Sequence, residues 1–133
     1  MKKYKVIIID DEPLAIDIIK EYISRFPEFE ISKTFTNALD ALKFMNDHNI
    51  DLVFTDIAMP QISGIELVKL SKQIPQFVMV TSYTNYAIES FELNVIDYLL
   101  KPVSFQRFEK TMERFKSQSN KAKTEGNEMC GGV

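Results

Sequence analysis

The sequence has one cysteine and one histidine in 133 residues. A lone cysteine, Cys130, excludes an internal disulfide and fits a reducing compartment. The histidine, His48, stands in the polar stretch Asn46-Asp47-His48-Asn49. That stretch reads as an exposed helix end, so the chain offers no histidine as catalytic base or phosphoryl donor. Long apolar runs are also missing. The start Met1-Lys2-Lys3 is basic, as in a signal peptide, but the aliphatic run Val6–Ile9 stops at Asp10. It is too short for a signal core or a membrane span, and the expected location is cytoplasmic. No excess of one charge is present: the net value is −3, which exerts no general pull towards nucleic acid or anionic membranes. What remains is ordinary for one soluble domain, with 45% hydrophobic and 26% charged residues.

The informative feature is that two apolar runs end in acid. Val6-Ile7-Ile8-Ile9 meets Asp10-Asp11, and Leu52-Val53-Phe54-Thr55 meets Asp56. Unbroken aliphatic runs of this length fit strands buried on both faces, as in a parallel sheet covered by helices. In such sheets the functional crevice lies at the carboxyl ends of the strands. If the two runs are neighbours, three carboxylates converge and need a cation between them.

The rest of the chain alternates short apolar runs with helical spacing. Strands are expected over 4–9, 29–35, 51–55, 77–80 and 95–100. Pro13 suits a first helical turn, and Leu14, Ile18, Tyr22 and Phe26 recur at intervals of four up to Pro27. Phe29 to Phe35 alternates apolar with polar, which predicts an edge strand. Asn37 is a helix cap ahead of Leu39, Leu42 and Met45. Ser63 and Glu66 form a capping-box pair ahead of Leu67, Val68 and Leu70. Residues 85–92 have helical character. Ser104 caps a last helix with Phe105, Phe108, Met112 and Phe115 on one stripe. Five strands alternating with five helices predict a doubly wound α/β sandwich with all strand carboxyl ends on one side. Residues 117–133 are polar and aperiodic, and are expected to be a flexible tail or the start of an interdomain linker, leaving 1–116 as the folded domain.

The strand ends then supply a chemistry. Strand 1 delivers Asp10 and Asp11, strand 3 Asp56, strand 4 Thr81 and Ser82, strand 5 Lys101 and Pro102; strand 2 delivers nothing obvious. Carboxylates and carbonyls suit Mg²⁺, which bridges to phosphate. Asp56 is a candidate metal ligand, nucleophile, or both, since a carboxylate attacking phosphorus gives an acyl phosphate. Lys101 and the Thr81 hydroxyl are placed to take charge on the transferring group.

These residues resemble a bacterial response-regulator receiver domain. The motifs are IIIDDEP at 7–13, LVFTDIAMPQISGIEL at 52–67, VMVTSY at 78–83 and DYLLKP at 97–102. The later stretch is most like receivers of the LytTR class of transcription regulators. The resemblance covers about residues 4–116. It implies a flavodoxin-like (CheY-like) fold of five parallel strands ordered 2-1-3-4-5 with five helices. It implies phosphorylation of Asp56 by a sensor histidine kinase. It implies Mg²⁺ held by Asp10, Asp11, Asp56 and the backbone carbonyl of Ala58. Thr81 and Tyr98 match the family's switch pair, Lys101 its phosphoryl-binding lysine, and the Lys101–Pro102 bond is one commonly cis. Ala58 and Tyr83 match positions that influence phosphate lifetime. Homodimerisation through the fourth helix, fifth strand and fifth helix is implied on phosphorylation. Output is implied through a DNA-binding domain absent from these residues, so the chain is expected to be part of a longer regulator rather than a stand-alone switch.

Other readings fit less well. An aspartate-nucleophile phosphohydrolase wants a second acid at position 58, which is Ala. A nucleotide- or flavin-binding module wants a glycine-rich loop after strand 1, where Asp10-Asp11-Glu12-Pro13 stands instead. A degenerate receiver would have lost a key position, and all are intact. The expectation is therefore a signalling domain that promotes its own phosphorylation and dephosphorylation, not a turnover enzyme.

Overall fold

The computed structural model describes residues 3–59, 61–71, 75–82 and 95–131, with side chains as far as residue 118. The elements run β1 (Tyr4–Ile9), α1 (Pro13–Ile23), β2 (Phe29–Phe35), α2 (Ala38–Asp47), β3 (Leu52–Thr55), α3 (Gly64–Leu70), β4 (Gln76–Thr81), β5 (Val95–Leu100) and α4 (Phe105–Gly131). Every strand pair is parallel, and the order is β2-β1-β3-β4-β5. This is the expected doubly wound sheet. The helix expected over 85–92 lies outside the described residues, as does Tyr83. The described residues therefore hold four helices rather than five.

The sheet is covered on both faces, which is why its central strands lack polar alternation. In β1, Val6 and Ile8 join one core with Ile16, Ile19 and Ile23 of α1 and Phe108, Met112 and Phe115 of α4. Ile7 and Ile9 point the other way, into a core with Ala38, Ala41 and Met45 of α2 and Leu67 of α3. Edge strand β2 alternates as expected from Phe29 to Ser32, but its register against β1 then shifts and the successive exposed residues Ser32 and Lys33 break the pattern. The expected caps form: Asn37 Oδ1 accepts from the Leu39 and Asp40 N–H groups. Ser63 and Glu66 make a reciprocal capping box. Ser104 Oγ accepts from the Arg107 N–H.

Two expectations about helices differ from the structure. The interval-four stripe faces the core only at its far end: Leu14 is 77% exposed and Ile18 46%, whereas Tyr22 and Phe26 pack on the core beside buried Ile16, Ile19 and Ile23. A step of four residues turns 400° in an α-helix, so such a stripe drifts about 40° per step off a fixed face. The 3–4 spacing of Ile16, Ile19 and Ile23 holds it. In α4 the helical backbone continues through residues expected to be aperiodic, as far as Gly131.

A buried carboxylate ties β5 to α4. Asp97 lies within a strand, 5% exposed, and accepts two hydrogen bonds from Arg107 at 2.7 and 2.9 Å and one from the Thr111 hydroxyl at 2.7 Å. The Tyr98 N–H donates to it as well, at 2.8 Å. Burial alone would raise the Asp97 pKa, but the hydrogen bonds from Arg107, Thr111 and the Tyr98 amide outweigh it and hold the carboxyl below its ordinary value. A depressed pKa stabilises the fold above the unfolded value of 3.8, and that contribution is lost as pH falls through the lower folded value. Arg107 is partly solvent-exposed, which weakens the pair. Asp97→Asn is expected to cost about 1–3 kcal/mol in urea unfolding at pH 7. The gap should narrow as pH falls below 3.8, where the unfolded chain's carboxyl begins to take a proton while the folded one still resists it; an unchanged gap would refute the ion-pair account.

Candidate functional site

Register brings the acids together. β1 and β3 pair as Val6↔Leu52 through Ile9↔Thr55, so Asp10 and Asp56, each one residue on, emerge abreast. Their backbones are anchored as they leave the sheet: the Asp56 N–H donates to the Ile9 carbonyl and the Asp10 N–H to the Phe35 carbonyl, both at 3.0 Å. Asp10 and Asp56 are buried, 3% and 6% exposed, and Asp11 is exposed. One carboxylate oxygen from each of Asp10, Asp11 and Asp56 lies within 4.8 Å of the others. That all-oxygen donor set, with room for waters on its exposed side, fits a hard divalent cation such as Mg²⁺.

Lys101 enters this cluster from the end of β5. Its Nζ stands 2.8 Å from Asp10 Oδ2, 2.8 Å from Glu12 Oε1 and 3.0 Å from Asp56 Oδ2. All three ammonium protons are thereby matched to carboxylates. Burial alone would lower the Lys101 pKa, but its bonds to Asp10, Glu12 and Asp56 outweigh this and raise it above the ordinary lysine range. Burial pushes the Asp10 carboxyl above its usual value, against the pull of Lys101 and the Glu12 amide, and the charge of Asp56 adds to the rise. Exposed Glu12 is lowered by Lys101. The ammonium thus supplies part of the charge balance that a metal ion would complete.

The segment after β3 is fixed at its root. The Ile57 N–H donates to Asp56 Oδ1 at 2.7 Å, setting the carboxylate plane. The Gly64 N–H then returns to the Ile57 carbonyl at 2.8 Å. A Cβ on Gly64 would lie 2.3 Å from the Asp56 carbonyl oxygen, so any larger residue would push on the backbone that carries the acid. Ala58, two residues past Asp56, is exposed.

Thr81 ends β4 fully buried, opposite Leu100, and its carbonyl accepts the Lys101 N–H at 2.8 Å. Tyr98 lies on β5 opposite Met79 and packs with Ile57, Ile65 and Met79. The Lys101–Pro102 bond is cis. Asp10, Asp11, Asp56 and Lys101 are thus drawn into one cluster, with Thr81 joined to it through the Lys101 backbone. His48 is an exposed cap residue of α2, its ring stacked on Phe44.

Sequence reasoning missed two neighbours. Glu12 is one; its exposure and its place as the residue ahead of α1 gave no sign that it would reach Lys101. The other is an apolar cleft of about 360 Å³ beside the acids, lined in part by Leu14, Ile18, Pro102 and Val103 along with Glu12 and Lys101. Its wall is set by the Tyr22 hydroxyl, which donates to the Val103 carbonyl at 2.8 Å.

Comparison with known proteins gives a consistent picture. The family model of the response regulator receiver domain matches residues 6–113. An uncharacterized response regulatory protein of Vibrio cholerae is 42% identical over 118 residues, covering 87% of this chain and 50% of the relative. The transcriptional regulatory protein BtsR of Escherichia coli K12 is 37% identical over 119 residues, covering 88% and 50%. The chain therefore spans about half the length of these curated relatives. Among solved structures, the response regulatory domain of mrkE from Klebsiella pneumoniae superposes with a TM-score of 0.81 at 32% identity, covering 88% of this chain and 98% of that one. The REC domain of AraT from Geobacillus stearothermophilus gives 0.78 at 30% identity, covering 90% and 98%. No helix among the described residues is long and apolar enough to cross a membrane.

Replacing Lys101 separates its two charge-balancing roles. Without metal, Lys101→Met leaves buried Asp10 and Asp56 facing each other unneutralised, and is expected to cost about 1–3 kcal/mol in urea unfolding. Added Mg²⁺ should then stabilise the variant by more than the wild type, where a hundredfold excess over Kd contributes about 2.7 kcal/mol. A variant as stable as wild type in metal-free buffer would refute this account.

Proposed function

Because the chain belongs to the response regulator receiver domain family, we propose that it is a phosphorylation switch whose acceptor is Asp56. The observation that carries this reading is the Lys101 ammonium seated between Asp10, Glu12 and Asp56 at the carboxyl edge of the sheet. In this reading Asp10, Asp11, Asp56 and the Ala58 carbonyl hold Mg²⁺, in keeping with the clustered carboxylates. When bound, the ion neutralises charge on the phosphoryl oxygens.

The donor is a phosphohistidine on a sensor kinase. A carboxylate oxygen of Asp56 attacks phosphorus, and the new O–P bond forms as the P–N bond breaks. The electron pair of that bond returns to the imidazole, which takes a proton from solvent. Lys101 transfers one of its hydrogen bonds from Asp56 to a phosphoryl oxygen, and the Thr81 hydroxyl donates to another. Tyr98 turns inward as Thr81 moves, and the phosphoryl group thereby biases a two-state equilibrium. The acyl phosphate is later lost to water, so the chain is an acceptor that promotes its own gain and loss of phosphate, not a turnover enzyme.

The exposed apolar residues Leu14 and Ile18, with Pro102 and Val103 across the cleft, support a docking face for the kinase next to Asp56. The half-length match to proteins named as regulators, one of them transcriptional, supports a cytoplasmic regulator with residues 1–116 as receiver and 117–133 as the approach to an output domain. A LytTR-type DNA-binding output, and a homodimer formed on phosphorylation through the residues around 85–92, β5 and α4, complete this reading. A continuous helix to Gly131 is compatible with a linker.

A small-molecule phosphodonor tests the core of the reading by intact mass. One phosphoryl adduct is expected on the wild type with Mg²⁺, and none with chelator or in Asp56→Asn; an adduct that persists in the variant would sink it. Leu14→Glu tests the docking face. Transfer from a kinase that phosphorylates the wild type should fall about tenfold or more, equivalent to roughly 1.4 kcal/mol, while labelling by the small donor stays unchanged.

A further inference from the structure

Strand β2 is the one strand with no evident gift to the site, yet its end touches both halves of it. The Phe35 carbonyl holds the Asp10 N–H at 3.0 Å. Two residues on, Asn37 caps α2, with Oδ1 accepting from the Leu39 and Asp40 N–H groups at 2.8 and 3.3 Å. That fixes which way the amide points, because only the oxygen accepts. Its Nδ2 is left to donate to Gln61 Oε1 at 3.1 Å. Gln61 is the described non-glycine residue with positive φ, 73°, in the left-handed region that side chains seldom occupy. Such a backbone persists where its surroundings hold it.

Gln61 belongs to the segment between Asp56 and α3. The root of that segment is held by the Ile57 and Gly64 backbone bonds, and its exit by the Ser63–Glu66 capping box. Met59 and Ile62 pack on the core. Exposed Ala58 lies between root and tip, and the Asn37–Gln61 bond holds the tip across to the neighbouring loop. We propose that Asn37 and Gln61 are positioning residues for the cation: their hydrogen bond ties Gln61 in place so that the Ala58 carbonyl, three residues before it, faces the carboxylates of Asp10, Asp11 and Asp56. This rests on the reading of Ala58 as a ligand. It gives β2 a share in the site through the segment that follows it, and makes one side chain serve both a helix cap and a loop tie.

The test is calorimetric titration of the full chain with Mg²⁺. Gln61→Ala keeps a Cβ, so the positive φ costs the same, and removes the acceptor. Asn37→Ser keeps an oxygen to cap α2 and removes the amide donor. Each is expected to weaken Mg²⁺ binding by about threefold to tenfold, the low end for partners that orient a metal ligand. The double variant should be no weaker than either single, and the metal-free melting midpoint should stay at the wild-type value. Affinities within twofold of wild type in both variants, or an affinity loss matched by a lower metal-free midpoint, would overturn the proposal. Asp56→Asn separates the underlying reading: if it binds Mg²⁺ as well as wild type, or if wild type does not bind, the metal site itself is refuted and the positioning role falls with it.

Discussion

Three carboxylates and one ammonium at the mouth of a parallel sheet set the terms for everything around them. Asp10 and Asp56 are buried by the fold, not by choice of partner: β1 and β3 are central strands in fixed register, and the residues that follow them must emerge side by side. Two buried like charges at this range are costly unless compensated. Lys101 supplies that compensation at 2.8 and 3.0 Å, and Glu12 accepts its remaining hydrogen bond. Burial first, and the charge of Asp56 after it, raise the Asp10 pKa against the pull of Lys101, and a further cation among the carboxylates would oppose that rise. The electrostatics therefore favour a metal ion, and an anionic group could draw Lys101 away from Asp56 only with that ion in place.

The parts of this arrangement legible in the sequence were those with one physical meaning. An aliphatic run ending in aspartate has few readings once a parallel sheet is accepted, so Asp10, Asp11, Asp56 and Lys101 could be assigned to one edge before any coordinates. Caps were similarly plain: Asn37, Ser63 and Ser104 each precede a helix and satisfy orphan N–H groups. What escaped were side chains with two partners. Asn37 reads as a cap and nothing more, because its second bond reaches residue 61 through space. Asp97 sits inside an apolar strand, and its partners Arg107 and Thr111 lie one turn apart on a helix whose polar residues otherwise look like a solvated face. Glu12 escaped because its partner, Lys101, is remote in sequence.

The first half of the stripe on α1 departs from expectation for a different reason, while Tyr22 and Phe26 do pack on the core. Leu14 and Ile18 satisfy helical spacing, yet the isoleucines at 16, 19 and 23 take the core. Both sets cannot be buried on one helix lying on one sheet face. The surplus apolar face is left open along the cleft that also holds Glu12, Lys101 and Pro102. Pattern alone ranks the two faces equally; only packing against β1 and α4 separates them.

The way Lys101 is mounted decides what can move when the charge balance changes. Its backbone N–H is bonded to the Thr81 carbonyl, and two residues later the Val103 carbonyl is held by the Tyr22 hydroxyl of α1. Upstream, Arg107 from α4 donates to the Asp97 carboxylate and to the Tyr98 carbonyl. The backbone of β5 is thus pinned at both ends of the site, to β4 and α1 on one side and to α4 on the other. The lysine's long stem is not pinned in the same way, since its ammonium is shared among three partners of similar distance. A change at Asp56 is therefore absorbed first by exchange of hydrogen bonds at the Lys101 head, while the strand that carries it keeps its place. This mounting suits a site that must exchange partners repeatedly without unfolding the edge of its own sheet.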